Sequence, residues 1–229
     1  MTFSVAARCP KTGMLGVAIT TSSIAVASRC PWARAGVGAV STQNITDPSL
    51  GRKGLDLLQS GKAAPEALQE LMQGSEYAAY RQVTMIDAAG RTAIWSGEKT
   101  LGIHGAARGE NCVAAGNLLR STDIPQVLVK AFETASAQQP DSHLAERLLT
   151  ALEAGLVAGG EMGPVHSAGL LVVDKTEWPL VDLRIDWDED SPLPPLRKLW
   201  EAFKPQAQDY IVRALDPRKA PAYGVPGDP

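Results

Sequence analysis

The chain has 229 residues, 45% hydrophobic and 21% charged, enough for one large domain with a substantial core. A formal net charge of −3 with no basic run argues against a nucleic-acid partner. The three cysteines show no CxxC spacing, which argues against a disulfide framework or a zinc cluster, and no apolar run approaches the roughly 20 residues that span a bilayer. The expectation is a cytoplasmic protein with free thiols, without metal or cofactor.

In chain order, MTFSVAAR and GMLGVAIT read as a β-hairpin closed by the turn PKTG, with Phe3, Val5 and Ala7 alternating against Ser4, Ala6 and Arg8. AGVGAVSTQ (35–43) reads as a third strand. RKGLDLLQSG and APEALQELMQG read as two helices, the second with Pro65 in its first turn and Gly74 at its end. QVTMIDAAGRTAIWSG reads as a second hairpin, and 111–119 as a further strand. Two more helices follow, one after Asp123 as N-cap, the other carrying Leu144, Leu148, Leu152 and Leu156 between Ser142 and Gly159. AGLLVVD (168–174) and LVDLRID (180–186) form a third hairpin, then a helix broken at Pro205 and a Pro/Gly-rich tail. Paired helices and strands in hairpins predict an α+β fold: a four-layer αββα sandwich of two antiparallel sheets flanked by helix pairs. The single domain is expected over residues 1–214, with a C-terminal tail at 215–229.

The first hairpin carries a geometric consequence. With PKTG as its turn, Cys9 pairs near Met14, and Thr2 falls opposite Thr21 to within a residue. Thr20-Thr21-Ser22-Ser23 then lies beside Thr2, and the third strand also ends in polar residues, Ser41-Thr42-Gln43-Asn44. If Met1 is removed, Thr2 carries both a hydroxyl and a free amine, a nucleophile with its own base. Such a site needs an oxyanion donor and a cation to keep the amine neutral, for which Arg29 and Arg34 are the candidates.

MTFSVAAR, GMLGVAITTSS, PWARAGVGAVSTQ, GRKGLDLL, CVAAGNLL and GGEMGPVHSAGLLVVD, in this order, resemble the domain-of-unknown-function 1028 family over roughly residues 2–200. That family is regarded as a branch of the Ntn-hydrolase superfamily, and the opening is also similar to a proteasome β-subunit start. The resemblance implies the αββα sandwich, a nucleophile at Thr2 and an amide at Asn117 serving the oxyanion or the substrate. It aligns the family's GGD-type turn with Gly159-Gly160-Glu161. The chain departs from relatives at His166, which precedes SA, and at Thr21-Ser22, where SK is common.

Other signals are weaker. His166 and Ser167 are adjacent on a strand and point to opposite faces, and no GxSxG elbow exists. ARAGVGAVST lacks the third glycine and the helix of a dinucleotide loop, and DWDED lacks the spacing of a calcium loop. Trp32 is read as a pocket wall. The expected function is an amidohydrolase cleaving a small-molecule amide or related C–N bond. Thr2 and Asn117 are its catalytic residues; Thr21, Ser22, Trp32, Arg34, Gln43, Glu161 and His166 contact the substrate. The alternatives are a non-catalytic binding or assembly module on the same fold, and an internal nucleophile at Ser167 or Cys112. A homodimer or higher homo-oligomer is expected.

Overall fold

The computed structural model describes residues 1–227. Its strands are β1 (Thr2–Arg8), β2 (Leu15–Thr21), β3 (Pro31–Arg34), β4 (Gly38–Asn44), β5 (Arg81–Asp87), β6 (Thr92–Ser96), β7 (Gly105–Gly109), β8 (Cys112–Asn117), β9 (Ser167–Val173) and β10 (Val181–Ile185). Its α-helices are α1 (Ser49–Gln59), α2 (Ala64–Gln73), α3 (Ile124–Gln138), α4 (Leu144–Val157), α5 (Leu193–Phe203) and α6 (Ala207–Leu215). The strands form a six-stranded sheet, β10-β9-β2-β1-β8-β7, and a four-stranded sheet, β3-β4-β5-β6. Every pairing is antiparallel.

Strand alternation sorts the side chains into three cores. Phe3, Val5 and Ala7 face outward from the large sheet and pack with Leu128 and Phe132 of α3 and Leu148 and Leu152 of α4. Val40, Val83 and Met85 face outward from the small sheet and pack with Leu55 of α1 and Leu68 and Leu71 of α2. Ala6, Val17, Ile19 and Val113 of the large sheet meet Ala39 and Ile86 of the small one. The sheets therefore face each other, each with a helix pair on its outer side. β1 is buried on both faces from Thr2 to Ala7.

Several sequence expectations need local correction. β3 and β7 were not anticipated, because PWAR and GAARG are short and carry little apolar alternation. β4 starts at Gly38, since Gly36 takes φ +70° in the turn that joins it to β3. β8 ends at Asn117 because Leu118 turns the chain with φ +51°. Asp123 caps α3 by position only, whereas His143 caps α4 by accepting a bond from the Ala145 N–H at 3.1 Å. α2 is capped from the sheet: buried Asp87 accepts from the Ala64 N–H at 3.0 Å. Pro205 sits in a 3₁₀ turn between α5 and α6, and α6 runs to Leu215, across the expected boundary at 214. Positions 228 and 229 of the expected tail lie outside the described residues. Among the described residues, no helix is long and apolar enough to cross a membrane.

The small sheet docks on α1 through close approaches at glycines, the tightest at Gly51. A Cβ on Gly51 would lie 2.0 Å from the Trp32 ring. Gly51→Ala is therefore expected to lower stability by about 1–3 kcal/mol in urea unfolding. Adding Trp32→Leu should recover part of that loss; equal midpoints for parent and Gly51→Ala would disprove the contact.

Candidate active site

The space between the sheets is apolar at one end and polar at the other. Alternation from Ala6 brings Ser4 and Thr2 onto the inner face of β1. Thr2 lies opposite Asn117 of β8 and, through its side chain, beside Thr21 of β2: Thr2 Oγ1 is 3.1 Å from Thr21 Oγ1. Deeper in, Ser4 Oγ donates to Gln43 Oε1 at 2.8 Å and lies 3.1 Å from Ser41 Oγ. Gln43 Nε2 and Asn117 Nδ2 both donate to Gln82 Oε1, at 2.8 and 3.1 Å. Gln82 Nε2 in turn donates to Ser96 Oγ and the Gly116 carbonyl, each at 3.1 Å. Ser4, Ser41, Gln43, Gln82 and Asn117 are all buried. The shared acceptor fixes which way both carboxamides point, and it leaves Asn117 Oδ1 buried without a partner.

The chain's first residue closes this end. Met1 O accepts hydrogen bonds from both Thr2 Oγ1 and Thr21 Oγ1. The Met1 side chain lies over Gly163, where an added Cβ would be 3.2 Å from Met1 Cε. Thr2 is 6% exposed as a result. Glu161 reaches the same place from the end of α4, because Gly159 and Gly160 take φ +118° and +54°, a turn closed to most side chains. A bridge to Leu119 holds its backbone, and Oε2 accepts the Ser22 N–H at 3.3 Å, while Oε1 is buried without a partner. Burial pushes the Glu161 carboxyl up to about 8, opposed by the positive charge of the chain's terminal amine and by the Ser22 bonds.

Thr2, Thr21, Ser22, Gln43, Asn117 and Glu161 are thus brought together, Ser22 through its backbone N–H. Three expected contacts are not. Trp32 pairs with Val40, so it shares that residue's outer face, and its Nε1 donates to Arg29 O at 3.1 Å. Arg34 is bound to α1 through Asp56 at 2.9 Å and through Gln59. Arg29, the other candidate cation, donates to Ala25 O at 2.9 Å, so neither arginine hydrogen-bonds to Thr2. His166 gives its backbone N–H to Thr21 O at 2.8 Å, but its ring stacks on Trp187 at 4.4 Å and bonds Asp188 O. Ser167 Oγ is engaged by Ser23 O at 2.6 Å and by the Val26 N–H at 3.1 Å, and burial pushes the Cys112 thiol up to about 12. Gln82 was missed by the sequence reading. The only signal for it was its place two positions before Thr84, on the same face of β5.

A family profile described as a family of unknown function (DUF1028) matches residues 2–196. The chain belongs to this family. The crystal structure of protein SPO2555 from Silicibacter pomeroyi, a DUF1028 member, is 28% identical over 89% of each chain, with a TM-score of 0.81. Anbu (ancestral beta-subunit) from Yersinia bercovieri aligns over 97% of this chain and 100% of its own at 13% identity, with a TM-score of only 0.36. No curated protein matches the chain.

The raised Glu161 carboxyl has a definite consequence for stability. Its ordinary value of 4.5 rises to about 8 in the fold, so the native state holds a proton that the unfolded chain releases between those values. Stability from this group is full below about 4.5 and is lost as pH rises toward 8. Glu161→Gln should therefore match the parent near pH 5 and exceed it near pH 9, by on the order of a few kcal/mol. Parallel pH profiles of the melting temperature would contradict this.

Proposed function

We propose that the protein is an N-terminal nucleophile hydrolase that cleaves a small-molecule amide or related C–N bond, with Thr2 as nucleophile once Met1 is removed. The observation that carries the reading is the 3.1 Å contact between the Thr2 and Thr21 hydroxyls, one residue from the chain start, at the polar end of the inter-sheet space. Two facing antiparallel sheets with a helix pair outside each support the αββα sandwich of that class.

Loss of Met1 turns the Thr2 peptide nitrogen into an amine beside its own hydroxyl. Thr2 Oγ1 adds to the substrate carbonyl carbon, and its proton passes to the α-amine, directly or through a water. Asn117 Nδ2 uses one hydrogen on Gln82, and its second is the donor for the oxyanion. Collapse of the tetrahedral adduct breaks the C–N bond, and the leaving amine takes the proton from the α-ammonium. Water then attacks the ester on Thr2 and releases the acid. With Met1 present, burial keeps Glu161 protonated to about pH 8, and a Glu161 that stays neutral once Met1 is lost would not hold the α-amine in its charged form, which leaves that amine free to act as base. This replaces the expected arginine as the means of keeping the amine neutral.

One observation favours a second reading, a binding module. Met1 O already fills the place of a ligand carbonyl on the two threonine hydroxyls. The mass of the protein made in a cell separates the two: loss of one methionine is expected for the enzyme, retention for the module. In a screen of small amides, Thr2→Ala should then lose activity by about 10³-fold or more, and Asn117→Ala by about 10²–10³-fold. Full activity in Thr2→Ala, abolished by a change at Ser167 or Cys112, would refute the N-terminal nucleophile.

A further inference from the structure

A second chemically unusual site lies at the other end of β1. Cys9 follows this strand and sits on the floor of a cleft of about 300 Å³ between the β1–β2 turn and helices α3 and α4. Cys9 is 2% exposed and Arg147, which lines the same cleft from α4, is 3% exposed. Among the described residues, buried Arg147 has no carboxylate partner. Its Nε and Nη2 have no hydrogen-bond partner, and Nη1 makes only a long 3.5 Å contact with Ser136 Oγ. The acids on its own helix, Glu146 and Glu153, are paired with Arg197. The Phe132 ring, 6.0 Å from the guanidinium carbon, adds only a weak cation–π attraction. A buried guanidinium left this way carries a large desolvation penalty unless an anion meets it.

Of the other charged residues that line the cleft, Arg8, Lys11 and Glu133 have partners, and Glu110 is exposed. Arg8 donates to Asn111 Oδ1 at 3.4 Å, and Lys11 pairs with Asp141. Glu133 Oε1 accepts the Glu110 N–H at 2.8 Å. His143 faces Arg147 and is disfavoured as a cation by burial and by that guanidinium, so it supplies no negative charge. The group that lines the same cleft as Arg147 and is able to become an anion is the Cys9 thiol, which Thr12 and Arg147 shift toward its anionic form. We propose that Cys9 is a reactive thiol, a modification site for small hydroperoxides that enter this cleft, with Arg147 holding the sulfur as its anion.

In the step this implies, the Cys9 sulfur attacks the outer peroxide oxygen. A sulfur–oxygen bond forms and the O–O bond breaks. The departing alkoxide takes a proton from water to give an alcohol, and the cysteine becomes a sulfenic acid. Sulfur loses two electrons and the peroxide gains them. The other two cysteines are poorly suited to this step. Burial pushes Cys30 up to about 11 and Cys112 up to about 12, whereas Thr12 and Arg147 outweigh burial at Cys9 and bring it down to about 7. The site is independent of the Thr2 chemistry and stands whether or not Met1 is removed.

The test is iodoacetamide labelling of the folded, full-length protein from pH 5 to 10, with each cysteine followed by mass spectrometry. Cys9 is expected to label at least about tenfold faster than Cys30 and Cys112 at pH 7, with a midpoint near 7. Arg147→Met should move that midpoint into the ordinary thiol range and slow labelling at pH 7 by about tenfold. Because Arg147 is buried and its loss can unfold the chain, Thr12→Val, at an exposed turn position, gives a second reading in the same direction. After brief exposure to tert-butyl hydroperoxide, dimedone should mark Cys9. Labelling of Cys9 no faster than Cys112, a rate unmoved by both variants, or dimedone failing to mark Cys9 would each overturn the proposal.

Discussion

β1 is held by backbone hydrogen bonds on both sides, to β2 and to β8, in the middle of the six-stranded sheet. Chain termini are ordinarily loosely tied, but here the second residue is already a paired strand residue. The register is fixed by packing. Phe3, Val5 and Ala7 insert among the side chains of α3 and α4, and a slip of one residue would turn them into the polar end of the inter-sheet space and send Thr2 and Ser4 into that apolar core. The hydroxyl pair of Thr2 and Thr21 is thus a consequence of where Phe3 must go. The position of the candidate nucleophile is a property of the main core rather than of a local loop.

The same strand explains why both chemically unusual sites lie where they do. Its middle is apolar on both faces and its ends are not. At the Thr2 end, the Ser4–Gln43–Gln82–Asn117 network satisfies most polar groups but leaves Asn117 Oδ1 and Glu161 Oε1 buried and unpaired. At the Cys9 end, Arg147 is left in the same condition. Folded proteins satisfy nearly all buried polar groups, so the orphans at these two points are informative about where ligands or chemistry belong, although Arg81, Thr84, Ser191 and Arg213 carry others elsewhere.

How much of this was legible in the sequence depended on distance along the chain. PKTG fixed the first hairpin, so the approach of Thr21 to Thr2 followed from local spacing, and the observed pairing of Phe3 with Thr20 has that register. Asn117 was reached only through family resemblance, because the β1–β8 pairing joins residues more than a hundred positions apart and leaves no local trace. Trp32 and Arg34 were misplaced for a different reason. They are near the site in sequence, but strand parity and the pull of α1 set them on the outer side. Gln82 was invisible because a glutamine beside a turn reads as an exposed strand end until its partners on two other strands are known. Glu161 was legible through its two preceding glycines, which the structure shows in the left-handed turn that aims it.

Met1 links the structural and chemical readings. Its carbonyl oxygen holds both threonine hydroxyls, its side chain covers Gly163, and its amine is the positive charge that faces Glu161. Cutting one peptide bond would therefore do three things at once: free the hydroxyl pair, open the mouth beside them and move the amine onto Thr2 itself. The charge balance changes with it, because an amine one residue further in lies on the same residue as the hydroxyl it serves. In water the neighbouring carboxylate would favour the charged form of such an amine. With Met1 in place desolvation keeps Glu161 protonated to about pH 8, and under the proposed reading a carboxyl that stays neutral shapes the pocket without capturing the base. Under the proposed reading, burial of Glu161 is what makes an acidic residue compatible with an amine that must accept a proton.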